Sequence, residues 1–371
     1  MEKILTKKLE RQIKFTEDIL AGMIDLVRVI DKNNRVVFVN EPMKKLLGDI
    51  KGEICYRALG KSCKCNVCIT ETAIRDGKIV TKEELIGDRI FSVVSSPIRD
   101  EEGKIYCAVE VFRDVTEKKK MEKTILDKNL KMKRDLDFAK KIQQRIIPKD
   151  GIYNDMIEIH SKYIPSEILG GDVFDIIDID EENIGLYMAD VAGHGITASM
   201  ITMFIRQTLK NMEKDALDPA YTLNYLKCRY KELNLDDNYY FTILYGVFNK
   251  KSSTIRIVNG GHNCMPIVFE KGDVREMFLP GLPICNLFDS VQYKECSINL
   301  DRGDRMLFYT DGILEARNIN KEVYSDRILK ICLENPSAKG DKLIKDIIDD
   351  VKNFSNNRID DDIAIMMMEV L

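Results

Sequence analysis

The sequence predicts an α+β protein in which two antiparallel-sheet domains are joined by one long helix. Three observations carry this. β-rich runs separated by hairpin-turn residues fall in two blocks, within residues 26–112 and 157–368. Between the blocks, residues 116–147 contain neither glycine nor proline, so nothing there breaks a helix. In the second block, several apolar runs begin or end at an aspartate. A chain of 371 residues fits two domains or slightly more, each able to bury its own core.

Composition narrows the class. Apolar residues at 44% and charged residues at 32% describe a globular chain, and a net charge of -4 supplies no electrostatic reason to bind nucleic acid. The longest apolar runs, such as Ile363–Met368, fall far short of the ~20 residues that span a bilayer. Residues 1–11 alternate charge with single apolar residues and lack the apolar stretch of a secretory signal. No membrane association is expected, and a cytoplasmic location with reduced thiols is.

Along the first block, Leu5, Leu9, Ile13 and Leu20 give residues 1–20 a helical pattern ending near Gly22. Strands follow at Leu26–Ile30 and Val36–Val39 around the turn residues 31–34, a helix opens at Asn40-Glu41-Pro42, and further strands run over Arg89–Val94 and Ile105–Phe112. A loop is expected over residues 97–103. This order, with its terminator Arg113-Asp114-Val115-Thr116-Glu117-Lys118, resembles a PAS domain over residues 21–115. The resemblance implies a small antiparallel sheet with helices on one face, a ligand or cofactor pocket and a sensory role.

Cys55, Cys63, Cys65 and Cys68 lie within 14 residues, four of the ten cysteines. Thiolates so placed would suit a zinc ion, an iron–sulfur cluster or a redox-sensing group, but their spacing is not a standard one. The alternative is a set of unligated, partly buried thiols.

Residues 116–148 form the connector. Ile125, Asn129, Met132, Leu136, Ala139, Gln143 and Ile146 alternate spacings of four and three, the seam of a coiled coil. Asn129 and Gln143 in that seam would weaken a dimer while fixing its register. A parallel homodimer through the first domain and this helix is expected, against the alternative of a solvated helix packed on its own domain. The segment Ala139-Lys140-Lys141-Ile142-Gln143-Gln144-Arg145-Ile146-Ile147-Pro148 resembles the Ala-x-x-Ile-Gln-x-x-Leu-Leu-Pro stretch that precedes the catalytic domain in bacterial phosphatases of the stage II sporulation protein E type.

The second block, residues 149–371, opens with a strand over Ile157–Ile164. Gly170-Gly171-Asp172-Val173-Phe174-Asp175 leads into a hairpin around residues 181–183, whose second arm ends in Ala189-Asp190-Val191-Ala192-Gly193-His194-Gly195. A helix is expected over Ile196–Met212. The hairpin puts Asp172 and Asp190 at one sheet edge. Taken alone, Asp190 fits a cation site or a plain strand-to-helix turn equally well. Further strands over Tyr239–Phe248 and Thr254–Val258 precede Asn259-Gly260-Gly261-His262-Asn263. Met306–Thr310 runs into Asp311-Gly312, and Asp360-Asp361-Asp362 leads into the strand Ile363–Met368. Adjacent carboxylates repel unless a cation or a shared proton lies between them, and oxygen-only donors select Mg²⁺ or Mn²⁺ over zinc.

Together these motifs resemble the PPM family of metal-dependent protein phosphatases, in its bacterial stage II sporulation protein E subgroup, which includes phosphatases of general-stress sigma-factor pathways. The resemblance implies an α-β-β-α sandwich with two Mn²⁺ or Mg²⁺ ions at one edge. Asp172, Asp190, the Val191 carbonyl, Asp311 and Asp361 match the ligand positions, with Asp361 preferred to Asp362. It implies hydrolysis of phosphoserine or phosphothreonine by a two-metal-activated water, on a phosphorylated anti-sigma-factor antagonist. His194 would protonate the leaving oxygen or simply cap its turn. Two rivals remain: a catalytically weak phosphoprotein-binding module, and a diguanylate cyclase suggested by Gly170–Phe174. The latter lacks an acidic residue at Val173 and leaves Asp190, Asp311 and Asp361 unexplained.

Overall fold

The computed structural model describes residues 2–288 and 291–371; Met1 and the side chains of residues 2–6, Leu5 of the helical pattern among them, lie outside the described residues. The chain divides into two compact units, residues 1–131 and 132–371.

The first unit begins with helix α1 (Glu2–Gly22). Strands β1 (Leu26–Asp31) and β2 (Val36–Val39), helices α2 (Glu41–Leu47) and α3 (Ile69–Asp76), and strands β3 (Val80–Ile86), β4 (Arg89–Arg99) and β5 (Ile105–Asp114) follow. The sheet order is β2-β1-β5-β4-β3, with every pair antiparallel. Asn40 caps α2 by accepting from the Met43 N–H, the role its side-chain oxygen is suited to. The expected loop at Pro97 is instead strand. β3 begins opposite Ser95, so past Ser95 β4 pairs only with β5, and the N–H that proline lacks has no strand to reach on the other side. Inside this unit Arg28 and Glu110, opposite each other on β1 and β5, form a buried ion pair at 2.8 Å. Thr70 also donates to Glu110, and Arg28 donates to the Cys55 carbonyl. The attraction in a buried pair of this kind offsets the loss of hydration only when its remaining polar atoms are satisfied.

Helix α4 (Thr116–Ile146) is continuous, and the division between the units falls within it. The second unit continues with β6 (Gly151–Tyr153), β7 (Ile157–Ile164), β8 (Asp172–Asp178), β9 (Asn183–Val191), α5 (Gly195–Lys210), α6 (Pro219–Glu232), β10 (Phe241–Asn249) and β11 (Thr254–Gly260). It is completed by β12 (Ile267–Glu270), β13 (Asp273–Glu276), β14 (Cys296–Asn299), β15 (Arg305–Tyr309), α7 (Asp311–Leu314), α8 (Arg327–Glu334), α9 (Gly340–Phe354) and β16 (Ile363–Val370).

Two antiparallel sheets, β14-β11-β10-β9-β8 and β13-β12-β15-β16-β7-β6, pack face to face. Alternation along each strand decides what each face touches. Phe174, Leu186, Met188 and Phe248 of the first sheet meet Ile159, Phe308, Met366 and Met368 of the second between the sheets. The intervening residues Val173, Tyr187, Ala189 and Tyr245 face α5 and α6, meeting Ile201, Ile205, Leu226 and Tyr230. On the far side, Leu307, Tyr309, Ile365 and Met367 face α8 and α9 through Cys332, Ile344, Ile347 and Ile348. The result is four layers, α-β-β-α. Among the described residues no helix is long and apolar enough to cross a membrane.

Candidate metal centre

The site is built from the β8–β9 hairpin. Its register pairs Asp172 directly with Asp190. β8 is an edge strand and begins at Asp172, directly after the Gly170-Gly171 segment. That segment is tightly confined: a Cβ on Gly170 would collide with the Tyr163 hydroxyl, and one on Gly171 would meet the Val191 carbonyl oxygen at 2.9 Å. Glycine is required here for close approach. At the other arm, Gly193 and Gly195 hold positive φ values of 94° and 78°, turning the chain from β9 into α5.

Two more elements reach the same edge. Asp311 follows β15 and opens α7, and Asp361 precedes β16. The carboxylates act on one another. Burial pushes the Asp172 carboxyl well above the usual range, and Asp190 beside it adds to the rise, while a hydrogen bond from Thr310 opposes it. Asp190 is pushed up to about 7 by burial and then by the charges of Asp311 and Asp361, against a hydrogen bond with Asp172. Asp361 is raised chiefly by burial, with Asp311 and Asp362 contributing. An edge that disfavours its own negative charge in this way is one that a divalent cation would neutralise, and the donor set of carboxylates and a carbonyl suits Mg²⁺ or Mn²⁺. Among the described residues no three His, Cys, Asp or Glu side chains already converge on a single metal-sized point.

Asp361 and Asp362 differ in their surroundings. Asp362 is 3% exposed, and its carboxylate accepts from the Ser166 N–H and hydroxyl and from the Gly171 N–H. Those bonds tie the 166–171 loop to the start of β16. Asp361 as a whole residue is open to solvent although its carboxyl group is half-buried, and its Oδ1 accepts from the Asp362 N–H. Asp362 is thereby committed to holding the loop.

Supporting residues surround the aspartates. The Thr310 hydroxyl donates to Asp172 Oδ2 at 2.7 Å and accepts from the Ala364 N–H at 2.9 Å. Asn263 Nδ2 donates to Asp311 Oδ2 at 3.1 Å. Neither residue was singled out from the sequence, although each lies in or next to a quoted motif, Asn259–Asn263 and Thr310-Asp311-Gly312. His262 is buried between Thr242 and the Tyr309 carbonyl, and burial lowers its pKa. It orders the end of β15. His194 stands at the cap position of α5, makes no side-chain cap bond, is 68% exposed and pairs with Glu167 at 3.1 Å. The simple turn-cap role is therefore not what its imidazole does.

The four clustered cysteines belong to the first unit. Cys55 is buried, Cys63 exposed, and Cys65 and Cys68 intermediate. Cys65 Sγ lies 3.8 Å from Lys61 Nζ and 3.7 Å from Lys82 Nζ, both of which pair with Glu84. Gln143, expected in a coiled-coil seam, is instead buried against Gly170 of its own chain, so its amide is not available to set register in a dimer. The more N-terminal seam residues Ile125 and Met132 are exposed.

Comparison with known proteins agrees with this architecture. The family model described as stage II sporulation protein E (SpoIIE) matches residues 180–371, and a PAS domain model matches residues 22–117; Asp172 lies just ahead of the first match. The phosphoserine phosphatase RsbP of Bacillus subtilis is 29% identical over 190 residues, 50% of this chain and 46% of RsbP. The chain thus spans about half the length of that relative. The phosphoserine phosphatase RsbU of the same organism is 21% identical over 238 residues, covering 64% of this chain and 70% of RsbU. Among solved structures, the SiaA-PP2C domain of Pseudomonas aeruginosa superposes with a TM-score of 0.56 at 16% identity, covering 65% of this chain and 98% of that domain, a likeness of fold.

Proposed function

Because the chain belongs to the stage II sporulation protein E family, we propose that it is a signal-regulated protein serine/threonine phosphatase that hydrolyses phosphoserine or phosphothreonine with two Mn²⁺ or Mg²⁺ ions. One observation carries this: Asp172, Asp190, Asp311 and Asp361 come from four separate segments, two in each sheet, to one edge of the sandwich, with Asp172 and Asp190 paired in register. Relatives that are phosphoserine phosphatases support it.

Asp172, Asp190, the Val191 carbonyl, Asp311 and Asp361 would hold the cations. Bound there, they would supply Lewis-acid charge and an activated water, which phosphate-monoester hydrolysis needs because its uncatalysed rate is so low. The remaining work falls to this chain's side chains. Thr310 fixes the rotamer of Asp172, and Asn263 that of Asp311. His194, exposed at the start of α5 and paired with Glu167, would give a proton to the departing serine oxygen.

The substrate we propose is a phosphorylated anti-sigma-factor antagonist, the PAS domain is the input, and α4 with the first unit forms a homodimer in the cytoplasm. The test is release of inorganic phosphate from a serine-phosphorylated antagonist by the purified chain. Release that needs Mn²⁺ and stops with EDTA is expected. Release no faster with Mn²⁺ than in EDTA overturns the proposal.

A further inference from the structure

The end of α4 is seated by one side chain. Gln143 is 4% exposed although Ile142 and Gln144 beside it are exposed. Its Nε2 donates to the Gly170 carbonyl at 2.8 Å, and its Oε1 accepts from the Gly170 N–H at 3.1 Å. Both ends of one amide are spent on both backbone groups of one residue, which holds that residue's position and its orientation together.

Gly170 is two residues from Asp172, and its surroundings leave no slack. The Gly171 N–H donates to Asp362 Oδ2 at 2.5 Å, and the Gly171 carbonyl accepts from the Val191 N–H at 3.1 Å. A Cβ on Gly170 would meet the Tyr163 hydroxyl and Asp362. The segment is thus gripped by β16's start, by β9 and by α4. The first two grips belong to the sandwich itself. The third belongs to a helix that begins at Thr116, just after the sheet of the first unit. If the helix end lifted, the Gly170 N–H and C=O would lose their partners together, a cost that buried backbone groups rarely bear.

We propose that Gln143 is a positioning residue through which the seating of α4 sets the divalent-cation affinity of the Asp172/Asp190 edge. Seated, it holds the backbone from which Asp172 is presented opposite Asp190; unseated, it releases that backbone and the ligand pair loses its geometry. The proposal rests on the reading of that edge as a cation site, and it goes beyond that reading by naming the contact that makes the site conditional on the connector.

The experiment uses the full chain and Mn²⁺. Direct binding is measured by calorimetry for the wild type, Gln143→Met, which keeps length but removes both hydrogen bonds, and Gln144→Met on the exposed neighbour. The expected result is Mn²⁺ binding weakened at least about ten-fold in Gln143→Met, equivalent to about 1.4 kcal/mol, and unchanged in Gln144→Met. A purely structural contact would lower the melting temperature in EDTA while leaving the Mn²⁺ affinity of the folded protein at the wild-type value, and that result overturns the proposal. A second arm needs no variant. Coupling is reciprocal, so Mn²⁺ must slow amide hydrogen exchange at residues 139–147 as well as at 169–173 in the wild type. Slowing at 169–173 alone also overturns the proposal. No Mn²⁺ binding by the wild type would instead remove the cation site itself, and this inference with it.

Discussion

Asp172 stands opposite Asp190 in register across the β8–β9 hairpin, and both carboxyls are held above the usual range in the folded chain. Burial, and then the charges of Asp311 and Asp361, favour the protonated form of Asp190, and the consequence for stability has a definite sign. The Asp190 carboxyl rises from 3.8 to about 7 in the folded chain, so between those values the folded state binds more protons than the unfolded one. Its stabilising contribution is complete below pH 3.8 and is lost as pH rises through about 7. Asp172 and Asp361 shift in the same direction.

The melting temperature in EDTA should therefore fall across that window through these groups. At neutral pH, Mn²⁺ at roughly 100-fold above its Kd should raise it by about 5–10 °C. Asp190→Asn should flatten the pH dependence and shrink the Mn²⁺ shift. A melting temperature that ignores Mn²⁺ in the wild type would contradict the assignment.

Asp361 and Asp362 should separate by kind of defect. Asp362→Ala leaves the Ser166 and Gly171 donors without their acceptor and should cost about 2–4 kcal/mol of stability by urea denaturation. Asp361→Asn should cost less than about 1 kcal/mol while weakening Mn²⁺ binding at least about ten-fold. The reverse pattern would make Asp362 the ligand.

The connector makes a third prediction. Ile125 and Met132 are 59% and 56% exposed on α4, apolar side chains at seam spacing with the coiled-coil partner still to be supplied. Ile125→Asp should shift the mass in sedimentation equilibrium from dimer toward monomer. An unchanged dimer would place the interface elsewhere.

Much of this was legible in the residues. Asp172, Asp190 and Asp311 could be placed because each adjoins an apolar run and a glycine turn, two patterns with strong local causes. The pairing of Asp172 with Asp190 followed from a short hairpin, whose turn sets the register. α9 was also written in its pattern, with Leu343, Ile344, Ile347, Ile348 and Val351 on one buried face, as was the start of α6, where Asp218 accepts from the Tyr221 N–H and Pro219 takes the first helical position; both went unmarked. Other features had no local signal. Thr310 acts on Asp172 from 138 positions away, and only the packing of the two sheets brings them together. Gln143 fitted a heptad as well as it fits Gly170, since helical spacing records which face is buried and not what covers it. Asp361 and Asp362 are adjacent carboxylates that only the course of the 166–171 loop distinguishes.

The central claim is that the Asp172/Asp190 edge is a catalytic divalent-cation centre. Its most direct test is the rate of phosphate release from a serine-phosphorylated antagonist, titrated with Mn²⁺, for the wild type and Asp190→Asn side by side. The account predicts a saturable Mn²⁺ dependence in the wild type and a rate at least about 100-fold lower in Asp190→Asn, equivalent to about 2.7 kcal/mol of lost transition-state stabilisation. Equal rates in the two proteins at saturating Mn²⁺ would contradict it.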